Sequence, residues 1–165
     1  VAMLGAIESL MSAVVADRDI LGLFRPGEHG STFGGNPLAC AVGLEVLDLL
    51  RSGEYQQRSA SLGDWLIGSL RDAGVPQIAE VRGRGLLVCV DLVEPDGSGK
   101  SLDPKTVAEL DRKAWDRGAI VYARGNVLRL APPLCITGHE VDELVGVVAD
   151  SVNELARDLS SGRGR

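Results

Sequence analysis

The fold class this sequence predicts is α+β, with helices on one face of a mostly antiparallel sheet. Three observations lead there. Apolar runs of helical period and short β-branched runs follow one another in the order helix–helix–strand–strand–helix–strand–strand–helix. Start and stop residues bracket the helical runs where helix chemistry requires them. The strands come as neighbours joined by short Gly-containing stretches, a pattern suited to antiparallel pairing.

The chain begins with the mixed apolar segment VAMLGAIESLM, followed by SAVVA at residues 12–16, a β-branched run typical of a buried strand. Asp17, Arg18 and Asp19 then read as a charged turn. A helix is predicted from Asn36, as N-cap with Pro37 at the first position, to Arg51; Leu38, Val42, Val46 and Leu49/Leu50 recur near helical spacing. A second runs over residues 54–73 with the stripe Tyr55, Leu62, Trp65/Leu66 and Leu70, stopped by Gly74 before Pro76. Residues 78–93 read as two strands broken by Arg82-Gly83-Arg84-Gly85, the arginines solvated; GLLVCVDLV is continuous enough in apolar residues for a covered strand.

Residues 94–100 form an exposed turn, and Asp103-Pro104 opens a third helix with Val107, Leu110, Ala114 and Trp115 inward and Gly118 as its stop. AIVYA (119–123) and VLRLA (127–131) make a hairpin through Arg124-Gly125-Asn126. Thr137 and Glu140 form a capping box for the last helix, whose apolar face is Val141, Leu144/Val145, Val148, Val152 and Leu155. Residues 160–165 read as a disordered tail.

Composition narrows the function classes. At 45% hydrophobic residues the chain can bury a core, and its net charge of −6 argues against nucleic acid or an anionic membrane as main partner. No apolar run reaches spanning length and no leader pattern is visible, so the expected location is cytoplasmic. Cys40, Cys89 and Cys135 are isolated in apolar contexts and are expected as small buried hydrophobes rather than metal ligands or disulfides. Neither His29 nor His139 has metal-ligand spacing.

Two places carry candidate chemistry. The stretch PGEHGSTFGGNPLAC, residues 26–40, sets Ser31 and Thr32 among glycines, and two hydroxyls among backbone N–H groups suit an anion such as a phosphate. Arg129 interrupts apolar VLRLA just before Pro132-Pro133. An isolated strand arginine can simply face solvent, but a guanidinium on a rigid strand is also the preferred fork for a carboxylate.

PGEHGSTFGGNPLACAVGLEVL, RGRGLL and VLRLAPPL together resemble the class III aminotransferases, enzymes of the fold-type I α/β class that use pyridoxal 5'-phosphate (PLP), and most of all their ornithine aminotransferase branch. The resemblance runs from about Ser12 to Leu155. It implies the C-terminal portion of that fold: residues 1–35 as a remnant of the PLP-binding large domain and dimer-interface loop, 36–51 as the interdomain helix, and 52–159 as the C-terminal small domain. It implies that Ser31 and Thr32 contact the cofactor phosphate of a neighbouring subunit and that Arg129 holds the substrate α-carboxylate.

The family's reaction moves the δ-amino group of ornithine to 2-oxoglutarate, giving glutamate semialdehyde and glutamate. Acetylornithine and 4-aminobutyrate are the alternative substrates. The family's cofactor-attaching lysine falls, in ungapped register, on Ala2. Lys100, Lys105 and Lys113 are the chain's lysines and are expected as solvated surface residues. No catalytic residue is therefore assigned. The chain is expected to be inactive alone and to need a separately encoded N-terminal part carrying the lysine; the partner alternative is a homo-oligomer. The alternative is a non-catalytic remnant that binds PLP or pairs with a full-length aminotransferase. Apolar surface is expected on residues 12–15 and 38–50, where the rest of such a fold would pack.

Overall fold

The structure is a computed structural model that describes residues 2–6, 11–32 and 34–161. The chain forms two compact units, Val1–Gly53 and Glu54–Arg165.

In the first unit, β1 (Ala2–Ala6) pairs antiparallel with β2 (Met11–Val15), Ala2 facing Val15. The mixed opening segment thus supplies a partner strand to the predicted one. The expected charged turn is instead a short helix, α1 (Arg18–Leu21). The carbonyl of Asp17 accepts from the amides of Ile20 at 3.0 Å and Leu21 at 3.1 Å, which closes the turn into a helical one. Helix α2 (Pro37–Arg51) begins as its sequence dictates: the Asn36 carboxamide oxygen accepts from Leu38 N at 2.9 Å and Ala39 N at 3.3 Å, with Pro37 at N1. Gly43 is buried, while Leu38 (72% exposed), Leu44 (63%) and Leu49 (59%) show their side chains to solvent. The expected apolar surface is present on this helix; the side chains of residues 12–15 lie outside the described set.

The second unit is an antiparallel sheet in the order β3-β4-β6-β5, covered on one face by three helices. Helix α3 (Glu54–Asp72) leads into β3 (Ile78–Arg84) and β4 (Leu87–Leu92). Helix α4 (Pro104–Trp115) follows, then the hairpin β5 (Tyr122–Arg124) and β6 (Val127–Leu130), and α5 (Gly138–Ser160) closes the unit. The period-2 alternation of the strands decides which face is which. Val88, Val90 and Leu92 on β4, and Leu128 and Leu130 on β6, are buried beneath Leu66 and Leu70 of α3, Val107 and Leu110 of α4, and Val141, Val148, Val152 and Leu155 of α5. Each such side chain removed from water contributes about 1.5–3 kcal/mol. The intervening residues Leu87, Cys89, Asp91 and Arg129 stand on the opposite, open face.

The three helices are also tied by polar contacts. Asp103 caps α4 at Lys105 N (2.9 Å) and Thr106 N (3.3 Å), and Thr137 and Glu140 form the predicted capping box of α5. Arg71 of α3 donates to the carbonyl of Val81 at 2.7 Å, and Asp111 of α4 accepts from Ala123 N at 2.8 Å, anchoring β3 and β5. Helix α3 approaches the β3–β4 turn so closely that a Cβ on Gly63 would lie 2.2 Å from the carbonyl oxygen of Gly85, itself at φ +56. Ser59 Oγ accepts from Leu86 N at 3.2 Å in the same contact.

Several expectations are corrected. Lys113 is not a solvated surface lysine: it is buried and donates to Glu154 at 2.6 Å and Asp158 at 2.7 Å, with Arg117 also paired to Glu154. Its position on the α4 stripe, one turn past Leu110, carries it inward, and two α5 carboxylates make that burial tolerable. Burial pulls its pKa down, but the hydrogen bonds to Asp158 and Glu154 outweigh it and leave the group raised. Trp115 is 65% exposed rather than inward, because the helix ends there and its ring lies past the covered face. Cys40 and Cys135 are exposed and Cys89 half-buried, since each sits on a helix, loop or sheet face without covering neighbours. The two predicted strands are present, but their break is narrower and later than the RGRG stretch, at Gly85-Leu86: β3 continues to Arg84, and Arg82 pairs with Asp91 through Nε–Oδ2 at 2.8 Å and Nη2–Oδ1 at 3.2 Å. The predicted strand at 119–123 is shifted to Tyr122–Arg124. Ser160 belongs to α5 rather than to a tail, and residues 162–165 lie outside the described set.

Two outcomes follow. Gly63→Ala gains about 1 kcal/mol of helix propensity but forces α3 off the turn, so a net loss of about 1–3 kcal/mol is expected in urea unfolding. Hydrogen bonds from Lys113 and then Arg117 lower the Glu154 carboxyl to about 2 from 4.5. A carboxyl depressed on folding stabilises above its unfolded pKa, so this contribution is full above about pH 4.5 and fades as pH falls toward 2. Thermal melts of Glu154→Gln should show a shallower acid slope than wild type across that window.

Candidate functional site

The candidate site residues divide between the two units. Ser31 and Thr32 lie in the first, on the exposed loop between α1 and α2. The loop is held by contacts within itself. Arg25 N donates to Glu28 Oε2 at 2.8 Å, and the rings of Phe24 and His29 meet with centroids 5.8 Å apart. Gly34 N donates to Ser31 Oγ at 3.1 Å. Gly27 and Gly35 take φ +88 and +74, which lets the chain double back before Asn36 starts the helix.

This geometry fits an anion in a specific way. Ser31 Oγ accepts from a backbone amide and so keeps its own proton free to donate outward. The Leu38 and Ala39 amides are taken by the Asn36 side chain, so the hydroxyls of Ser31 and Thr32, rather than those helix amides, are the donors on offer. Both residues are exposed, as groups that serve a ligand held mainly by other residues would be.

Arg129 lies in the second unit, on β6. It faces Cys89 of β4 on one side and Tyr122 of β5 on the other, on the sheet face the helices leave open. Leu128 and Leu130 beside it are buried to 1% exposure, so the backbone that carries Arg129 is fixed by the core while the guanidinium is free. Two other cations of that face are engaged, Arg82 with Asp91 and Arg124 with the Tyr122 hydroxyl at 3.0 Å, while Arg84 lies apart on the edge strand β3. Among the described residues no carboxylate pairs with Arg129. A rigid, uncompensated guanidinium on an open face can take a carboxylate bidentately.

The lysines differ in setting. Lys113 is locked between two carboxylates and held charged, the reverse of what a nucleophilic lysine needs. Lys100 and Lys105 are exposed. Tyr122 stands opposite Arg129 and Arg124 opposite Val127 in the hairpin; read alone in the sequence they are ordinary strand and turn residues. Among the described residues no cluster of histidine, cysteine and acids could hold a metal, and no helix is long and apolar enough to cross a membrane.

Comparison with known proteins gives one family. Residues 6–152 match aminotransferase class-III. An ornithine aminotransferase of Geobacillus sp. (strain WCH70) is 45% identical over 134 residues, and one of Bacillus cereus (strain Q1) is 42% identical over 132 residues. Each match takes in 80% of this chain and 31% of the relative, so the chain spans about a third of the length of the curated relatives it matches. Among solved structures, the ornithine aminotransferase of Toxoplasma gondii, described with partial occupancy of PLP at its active site, aligns with TM-score 0.68 and 36% identity over 89% of this chain and 34% of its own. An acetylornithine aminotransferase from Elizabethkingia anophelis aligns with TM-score 0.67 and 35% identity, over 87% and 35% respectively.

Proposed function

The chain belongs to the class III aminotransferases, and from that premise we propose that it serves as the C-terminal portion of an ornithine aminotransferase. The reaction is transfer of the δ-amino group of ornithine to 2-oxoglutarate, giving glutamate semialdehyde and glutamate, in the cytoplasm. Residues 1–35 belong in this reading to the cofactor-binding domain and its dimer-interface loop, 36–51 to the interdomain helix, and 52–159 to the small domain. The observation that carries it is Arg129: an unpaired guanidinium, fixed between two buried leucines, on an open sheet face in a member of this family.

PLP, when bound, supplies the electron sink that lets an amino-bearing carbon lose its proton. The chain's own residues do the rest of what it contributes. Ser31 and Thr32 would hold the phosphate of a neighbouring subunit's cofactor by hydrogen bonds from their hydroxyls, a contact supported by the free Ser31 proton. Arg129 grips one carboxylate of the amino or oxo acid and sets which of its carbons faces the chemistry. The proton-moving lysine comes from an N-terminal portion, for which a separately encoded chain is the proposed partner. The commitment of Lys113 to Glu154 and Asp158 supports this. The second reading is a non-catalytic protein that binds PLP or pairs with a complete aminotransferase.

The test is an ornithine:2-oxoglutarate transaminase assay with added PLP, on this chain alone and mixed with the product of the adjacent upstream reading frame. Activity only in the mixture is expected. Activity in neither, with both proteins folded, would support the non-catalytic reading; activity of the chain alone would overturn the outside lysine. In the active mixture, Ser31→Ala with Thr32→Val should weaken PLP retention about tenfold in equilibrium dialysis.

A further inference from the structure

The open sheet face carries more than Arg129. Tyr122 stands directly opposite it in the β5–β6 ladder, and directly opposed residues of an antiparallel pair place their Cβ atoms about 4.5–5.5 Å apart on the same face. Arg124, two residues along β5 from Tyr122, points to that face as well and donates through Nη1 to the Tyr122 hydroxyl at 3.0 Å. The hydrogen bond has a direction that matters. A phenol oxygen that accepts from a guanidinium still has its own O–H to give, and the accepted bond makes that proton a better donor. The hairpin therefore presents two guanidinium groups and one oriented phenol O–H. The acids nearest across the sheet do not answer them: Asp91 is taken by Arg82, and Glu80 stands opposite Asp91 on the far edge strand. Tyr122 is 49% exposed, so its ring is not needed to fill the core.

We propose that Tyr122, oriented by Arg124, forms with Arg129 a single carboxylate-binding site, in which the phenol is a second substrate contact that fixes the plane of the bound carboxylate. This rests on the reading of Arg129 given above and deepens it. Arg129 alone supplies charge and a fork, but its five N–H groups offer more than one pair to a carboxylate, so the fork does not settle which pair is used. The phenol proton, arriving from the neighbouring strand, gives one carboxylate oxygen a third donor and so selects one orientation. The ligand class is a small amino or oxo acid presenting its carboxylate to the hairpin.

The test uses the full 165-residue chain with 2-oxoglutarate as the probe, following the backbone amide resonances of residues 122–130 by NMR during titration, a readout present in every variant. Wild type should bind saturably. Tyr122→Phe, which keeps the ring and the fold, should weaken binding about fivefold. Arg124→Leu should weaken it by a similar factor by releasing the phenol. Arg84→Leu, on the same face but outside the hairpin, should leave it unchanged. Binding by Tyr122→Phe equal to wild type, with binding abolished in Arg129→Leu, overturns the role of Tyr122 and leaves the reading of Arg129 standing. Loss in Arg84→Leu as large as in Tyr122→Phe shows a diffuse charge effect and overturns the site. Absence of wild-type binding, or binding undiminished in Arg129→Leu, overturns both.

Discussion

The sheet's two-residue alternation is the constraint on which the second unit depends. Val88, Val90, Leu92, Leu128 and Leu130 go to the helices, and Cys89, Asp91 and Arg129 therefore cannot. A shift of one residue in register would exchange the two sets, placing a guanidinium in the core and leucines in water, at a cost far above the marginal stability of a domain. The same alternation that builds the core thus delivers Arg129 to an open surface. Its position is a consequence of packing, while its chemistry is free for another purpose.

The helical layer is fixed with comparable economy. The N-terminal half of α3 meets two separate parts of the unit. Gly63 and Ser59 touch the β3–β4 turn, and Arg58 donates through Nη2 to the carbonyls of Cys135 at 3.3 Å and Ile136 at 2.5 Å, just beyond the prolines that follow Arg129. Lys113 joins α4 to α5 from the other side. Buried ion pairs of this kind add little net stability over an apolar substitute, but removing one partner strands the other charge, so they specify one arrangement of the helices. Of these contacts, the Arg58 hydrogen bonds anchor the chain just beyond the strand that carries Arg129.

The sequence made helices and caps legible because local chemistry decides them: Asn36-Pro37, Asp103-Pro104 and the Thr137–Glu140 box act within one turn of chain. The order of elements and the antiparallel sheet were legible for the same reason. What was not legible depends on neighbours distant in sequence. The burial of Lys113 requires Glu154 and Asp158, about forty residues on; the pairing of Arg82 requires Asp91; the exposure of Trp115 and Cys135 depends on where the covering helices stop. Of the candidate site, Arg129 could be picked out as a charge in an apolar strand. Its setting beside Tyr122 could not, because cross-strand register is fixed by the hairpin and the core together.

The central claim is that Arg129 is held by the fold for a ligand and not for the fold's own sake. Its buried neighbour offers the contrast, and the most direct measurement is urea unfolding of Arg129→Leu beside Leu128→Ala. Leu128→Ala removes a core side chain and should cost about 2–4 kcal/mol. Arg129→Leu should leave stability within about 0.5 kcal/mol of wild type, as expected of an exposed group without a partner. A loss for Arg129→Leu comparable to that of Leu128→Ala would contradict the account, since it would make the arginine a structural residue.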